Sequence, residues 1–135
     1  MKRNSRLSST LHILVHMAAA PERALTSEQL AGFIHTNPVV VRRVTAMLAR
    51  AGLIGTRRGA SGGAWLARPA EEIGLDAVLR AVNGGANMGV PPVGSKECPV
   101  GERLPKAVQA AITAADEAAA RQLGKVSVAD LLAAQ

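Results

Sequence analysis

The chain has 135 residues, of which 48% are hydrophobic and 19% are charged. These proportions exclude a disordered or fibrous protein and fit one globular domain, with room for an oligomerisation appendage. The aromatic residues are Phe33 and Trp65 alone. They are too few for the aromatic platform on which single-stranded nucleic acid is usually stacked.

The net charge of +6 is distributed unevenly along the chain. Residues 1–68 carry ten Lys or Arg and two Asp or Glu, whereas residues 69–135 carry six and eight. The first half therefore has a net charge of +8 and the second a net charge of −2. A basic half joined to a slightly acidic half is typical of a DNA-binding domain followed by an oligomerisation segment.

The first twenty residues superficially resemble a secretory signal, because basic residues precede an apolar run. His12 and His16 interrupt that run. No other stretch reaches the length of a membrane span, and a single cysteine cannot form an intrachain disulfide. We therefore expect a cytoplasmic protein without a membrane segment. The apolar residues of the run form a one-sided helical stripe that should pack on a domain core: Leu7, Leu11, Leu14, Val15 and Ala18.

Residues 26–52 have the pattern of a helix-turn-helix. Thr26 and Gln29 have the spacing of a capping box, which predicts the start of the first helix. Asn37 before Pro38 predicts the start of the second helix, and Gly52 predicts its end. The core-facing positions of this second helix are predicted to be Val41, Val44, Leu48 and Ala51, and the free positions Val39, Val40, Arg42, Arg43, Thr45 and Ala46. Small apolar groups and arginines near a helix start suit the major groove of DNA.

Residues 53–68 are predicted to form a β-hairpin with a glycine-rich turn at 59–63. Arg57, Arg58 and Arg68 make this hairpin basic. A basic hairpin on its own is usually only solvated, but directly after a helix-turn-helix it is typical of a wing that contacts DNA. We therefore predict that duplex DNA is bound by Ser27, Asn37, Val39, Val40, Arg42, Arg43, Arg57, Arg58, Ser61 and Gly62.

The remaining chain divides into a loop and an alanine-rich helix. Residues 84–101 are rich in Gly and Pro and are predicted to form a loop that contains Cys98. A long helix is predicted over about 102–123, and its alanines permit a second helix to pack closely. We expect this helix to form a homodimer, the alternative being that it folds back on its own domain. A short helix capped by Ser127 should end the chain.

The predicted fold is therefore mostly α, with a small β-hairpin wing. It comprises a winged helix-turn-helix domain over 1–83, the loop over 84–101, and a dimerisation helix with a short terminal helix over 102–135.

Cys98 lies near a helix start, where the partial positive charge of the helix and Lys96 favour a thiolate, whereas Glu97 and Glu102 oppose it. Cys98 is thus a candidate redox or electrophile sensor, with an inert, partly buried thiol as the equal alternative.

One residue pattern runs through six segments of the chain, namely 7–14, 26–31, 37–43, 48–54, 58–69 and 73–82. In this pattern the sequence resembles the Rrf2 family of bacterial winged-helix repressors. The resemblance covers nearly the whole chain, and one departure is Trp65, where the family commonly has tyrosine. It implies a DNA-binding regulator that dimerises through the long helix. Relatives that bind an iron–sulfur cluster bring three cysteines from this loop, whereas this chain has one, so we expect no cluster.

Other functions find less support. His12 and His16 lie one turn apart, but two imidazoles alone make an incomplete zinc site. The chain has no nucleophile elbow, Walker loop or paired-carboxylate spacing, so we expect no enzyme activity. Alternatives that remain are a nucleic-acid-coating protein without sequence preference, an interaction module that has lost DNA binding, and a regulator controlled by a small molecule instead of Cys98.

Overall fold

The computed structural model describes residues 5–83, 94 and 96–135. Most of the predicted loop at 84–101 lies outside these residues. The described elements are, in chain order, α1 Ser5–Ala19, α2 Ser27–Phe33, α3 Pro38–Arg50, β1 Ile54–Arg57, β2 Gly63–Leu66, a 3-10 helix Ala70–Glu72, α4 Leu75–Asn83, α5 Pro99–Leu123 and α6 Val128–Ala133. Within the described ranges, no helix combines the length and apolar character needed to cross a membrane.

The predicted winged-helix fold, mostly helical with one hairpin, is confirmed. Both helices of the helix-turn-helix begin at the predicted caps. The Thr26 hydroxyl accepts a hydrogen bond from the Gln29 amide at 3.1 Å, and Gln29 Oε1 accepts one from the Thr26 amide at 2.9 Å. Asn37 Oδ1 accepts a hydrogen bond from the Val39 amide at 2.9 Å, and Pro38 occupies the first turn of α3. The caps fix where α3 begins and hence which side chains it exposes.

The core lies between α1, α2, α3, α4, α6 and the hairpin, and two predicted faces need correction. In α1 the residues buried most fully are Thr10, Ile13, Leu14 and Met17, while the rest of the predicted stripe is only partly buried. Thr10 can be buried because its hydroxyl donates a hydrogen bond to the Arg6 carbonyl at 2.6 Å, which an apolar pattern does not reveal. In α3, Ala51 is exposed and Thr45 is buried, since the Thr45 hydroxyl likewise donates to the Arg42 carbonyl at 3.1 Å.

The hairpin is attached to the segment that precedes α2. Strands β1 and β2 are antiparallel, with Gly55 opposite Trp65 and Thr56 opposite Ala64. Leu25 and Ala64 exchange two backbone hydrogen bonds of 2.9 and 2.8 Å. Because Leu25 directly precedes the cap of α2, these bonds hold the wing beside the helix-turn-helix.

Two features of residues 102–135 differ from the sequence-based expectation, namely the start of α5 and the packing of α6. Helix α5 begins at Pro99, three residues early, because proline suits a first helical turn and Cys98 takes the N-cap position. Helix α6 packs against α1 and the 3-10 helix, and the Val128 side chain is completely buried in the core. Backbone hydrogen bonds of 2.9 Å join Leu75 to Val126 and Val128 to Ile73.

Candidate DNA-binding interface

A groove of about 530 Å³ separates the helix-turn-helix from the wing. It brings together five of the residues predicted from the sequence, namely Ser27, Arg42, Arg57, Arg58 and Gly62. The groove is also lined by Ala46, which was predicted to lie on the free face of α3, and by Glu28 and Thr56, which were not among the predicted DNA-binding residues. Thr56 and Arg57 are consecutive on β1 and both line the groove, which the alternation of side chains along a strand does not predict.

The first turn of α3 exposes two large apolar side chains next to arginines. Val39 and Val40 are 55% and 40% exposed, respectively. Arg42 and Arg43 follow them and are also exposed. The methyl groups of exposed valines on a basic helix suit the thymine methyls of a major groove.

Arg42 is held by a carboxylate of the preceding helix. Its Nη2 atom donates to Oε1 of Glu28 at 3.0 Å, and both side chains are more than half exposed. Glu28 occupies the first turn of α2, where an acid is also favoured by the positive end of the helix dipole. The sequence separation of 14 residues explains why no local pattern predicts this pair.

The wing turn is shaped by its glycines. Gly62 is buried, and a Cβ atom built on it would lie 2.2 Å from the Arg57 carbonyl oxygen. Gly59 and Gly63 have φ angles of +105° and +143°, which L side chains rarely adopt. Arg57 donates across the turn to the Ser61 carbonyl at 3.4 Å, and Arg58 and Ser61 are exposed.

Two of the predicted DNA-binding residues therefore have structural roles here. Asn37 uses its side-chain oxygen to cap α3, and Gly62 closes the wing turn through its amide, which donates to the Gly59 carbonyl at 2.9 Å. Gly62 exposes no side chain with which to select a base. Asn37 thus fixes the first turn of α3, and Gly62 fixes the turn of the wing.

The other candidate residues lie away from the groove. Cys98 is an exposed free thiol at the N-cap of α5. His16 does not pair with His12 but stacks on Phe33, with ring centroids 4.8 Å apart. Among the described residues, no group of three or more His, Cys, Asp or Glu side chains is arranged to hold a metal ion.

Comparison with known proteins agrees with this geometry. The model of the Rrf2 family, described as iron-dependent transcriptional regulator, matches residues 3–134. The chain belongs to the Rrf2 family. It is therefore a DNA-binding transcriptional regulator and not an enzyme. The resemblance predicted from the sequence is confirmed.

Similar proteins span almost the full length of this Rrf2 chain. YwnA of Bacillus subtilis (strain 168), named as an HTH-type transcriptional regulator, is 32% identical over 130 residues, which are 96% of each chain. A solved structure described as a DNA binding protein is 31% identical, with a TM-score of 0.76 and coverage of 95% of this chain and 99% of that one. CymR (YrzC), the global cysteine regulator of B. subtilis, is 19% identical with a TM-score of 0.70, over 100% and 98% of the two chains, a likeness of fold alone.

The iron dependence in the family description does not fit the residues of this Rrf2 chain. An iron–sulfur cluster needs several thiolate ligands, and the whole sequence supplies one cysteine. Two copies of the chain together would supply only two. No step in DNA recognition is therefore assigned to iron.

Proposed function

We propose that the protein is a homodimeric transcriptional repressor that binds an imperfect palindromic operator. One observation carries this proposal. The chain combines a basic α3 and wing, with exposed valines in the first turn of α3, and a long helix, α5, that a single copy of the chain leaves exposed. Cytoplasmic location follows from the proposal, because a transcriptional repressor acts where the DNA is.

The argument for a dimer rests on α5. This helix has 25 residues, all of them described, and none is buried. Val100 is 69% exposed and Leu104 45% exposed, and together with Pro99, Arg103 and Ala107 they line an apolar depression. A helix of this length is favourable in water mainly when it buries an apolar face. A second copy of α5 covers that face, and the small alanine side chains permit close approach.

The argument for a palindrome follows from symmetry. A two-fold dimer presents two identical α3 helices and two wings, so its preferred site has two half-sites related by the same axis. The proposed division of contacts assigns Val39, Val40, Arg42 and Arg43 to base edges and nearby phosphates. Ser27, Arg57 and Arg58 then hold the DNA backbone or enter the minor groove.

Two measurements test this proposal. Sedimentation equilibrium should give a dimer at micromolar concentration, and selection from random duplexes should return sites with a dyad.

Leu104→Glu should dissociate the dimer and weaken operator binding. Thr113→Glu, the matched control on the opposite face of α5, should change neither. A monomeric native protein, or best sites without a dyad, would contradict the proposal, and equal binding to all duplexes would select the nucleic-acid-coating alternative.

Cys98 carries a second proposed function, the sensing of oxidants. Its thiol is exposed, and Cys98 occupies the N-cap position of the same helix that is proposed to form the dimer, without a side-chain capping hydrogen bond. Attack of the thiolate on a small-molecule disulfide gives a mixed disulfide on Cys98 and releases the other half as a thiolate. The added group at the start of α5 would change how two copies pack and so the spacing of the two α3 helices.

Comparing the native protein with Cys98→Ser tests this sensor. We expect oxidised glutathione to reduce operator binding by the native protein and to leave the serine variant unchanged. Equal responses, or no response in either protein, would make Cys98 structural. The effector would then be a small molecule that acts elsewhere.

A further inference from the structure

The ion pair between Glu28 and Arg42 places a negative charge inside a basic DNA-binding groove. Among the described residues that line the groove, Glu28 is the one acid. Residues 1–68 contain one other acid, Glu22, which does not line it. A carboxylate at this position repels phosphates and so weakens binding to DNA of any sequence.

We infer that Glu28 is a specificity-determining residue that acts by positioning Arg42, an inference that rests on the proposed recognition of an operator. Glu28 Oε1 accepts a hydrogen bond from one guanidinium nitrogen of Arg42 at 3.0 Å, and the other N–H donors of Arg42 remain free. The free donors suit the two acceptors on the major-groove edge of guanine. Because Glu28 holds one end, the guanidinium is oriented before DNA arrives, and less side-chain freedom is lost on binding.

The same contact suppresses binding to the wrong sequence. On unrelated DNA, Arg42 can contribute only by turning to a phosphate, which would break the ion pair and leave Glu28 facing the DNA backbone. On an operator, Arg42 contacts a base while it remains paired with Glu28. Glu28 thus increases the difference in binding affinity between the operator and unrelated DNA. Specificity is gained here by weakening the binding of competing sequences.

Glu28→Gln tests this inference in the full-length protein, with Glu22→Gln as the matched control. Both substitutions remove one negative charge from an exposed residue of the same basic half. Glu28→Gln leaves the capping box of α2 intact, since that box uses Thr26 and Gln29. The probes are the best duplex selected by the native protein and an unrelated duplex of equal length.

Glu28→Gln should tighten binding to the unrelated duplex by about threefold and should lower the ratio of operator to unrelated affinity by a similar factor. The salt dependence on unrelated DNA should steepen by about 0.9 in log–log slope, because Arg42 gains a phosphate contact. Glu22→Gln should leave both the ratio and the slope close to the native values. In an Arg42→Gln background, Glu28→Gln should no longer change the ratio, since its effect acts through Arg42.

An unchanged ratio in Glu28→Gln, or equal changes in the two glutamine variants, would overturn the inference and leave the proposed repressor intact. Failure of the native protein to distinguish any duplex would instead overturn the proposed function itself. The two failures are therefore distinguishable in one set of titrations.

Discussion

The indole of Trp65 occupies the space that a side chain on Gly55 would need. The two residues face each other across the hairpin, and a Cβ atom built on Gly55 would lie 2.6 Å from Trp65 Cε2. The glycine thus lets the aromatic ring lie over the strand opposite, an arrangement that protects an exposed backbone.

This contact predicts the outcome of Gly55→Ala. The added methyl group should displace the indole towards water, with a loss of hairpin stability of about 1 kcal/mol. Trp65 is the only tryptophan of the chain, so a red shift of its fluorescence reports the displacement directly. Helical circular dichroism should stay unchanged, and an unshifted emission maximum would show that the ring does not lie over Gly55.

Gly62→Ala should be more damaging, because its new Cβ would meet backbone instead of a side chain. The Arg57 carbonyl oxygen would lie 2.2 Å away and cannot move without opening the turn. We expect a loss of DNA affinity of at least tenfold with a small change in melting temperature. Gly32→Ala is the control, since nothing lies within 4 Å of its Cβ position. It should stabilise α2 by about 0.5–1 kcal/mol. Equal effects of the two changes on DNA binding would contradict this account of the wing.

Arg58→Ala should weaken DNA binding and reduce the log–log salt slope by about 0.9 if the side chain contacts one phosphate. The measurement is operator affinity across a range of salt concentrations. Arg50→Ala is the matched control, because Arg50 is exposed at the other end of α3 and does not line the groove. Loss of sequence preference at an unchanged slope would instead assign Arg58 to base readout.

Thr26→Ala should destabilise the protein by about 1 kcal/mol through loss of the α2 cap. The Thr26 hydroxyl accepts the Gln29 amide at 3.1 Å, and this bond has no substitute within the capping box. Chemical denaturation measures the loss. Thr113→Ala serves as comparison, since that exposed threonine lies in the middle of α5, and it should change stability by less than about 0.5 kcal/mol. Equal losses in both variants would remove the capping explanation.

Signals within a few residues of sequence predict the helices and their ends, but they do not predict which side chains meet in the groove. Caps such as Asn37 and breaks such as Gly52 act within a few residues, so the boundaries of α3 follow from the sequence alone. Burial of Thr10 and Thr45 depends on backbone hydrogen bonds that hydrophobic periodicity does not register. The Glu28–Arg42 pair depends on how α2 and α3 are placed in space, which no spacing rule encodes. The position of α6 was missed for the same reason.

The return of α6 to the first domain has a consequence for how the protein is made. Val128 fills the same core as Ile73 and Val78, and its amide bonds to the Ile73 carbonyl at 2.9 Å. A nascent chain that has emerged from the ribosome only as far as α4 therefore lacks the part of the hydrophobic core that α6 supplies. The core that supports the helix-turn-helix can complete its folding only after α5 and α6 have both been synthesised. Protein stalled or cleaved within α5 should expose apolar surface and be a substrate for chaperones and proteases.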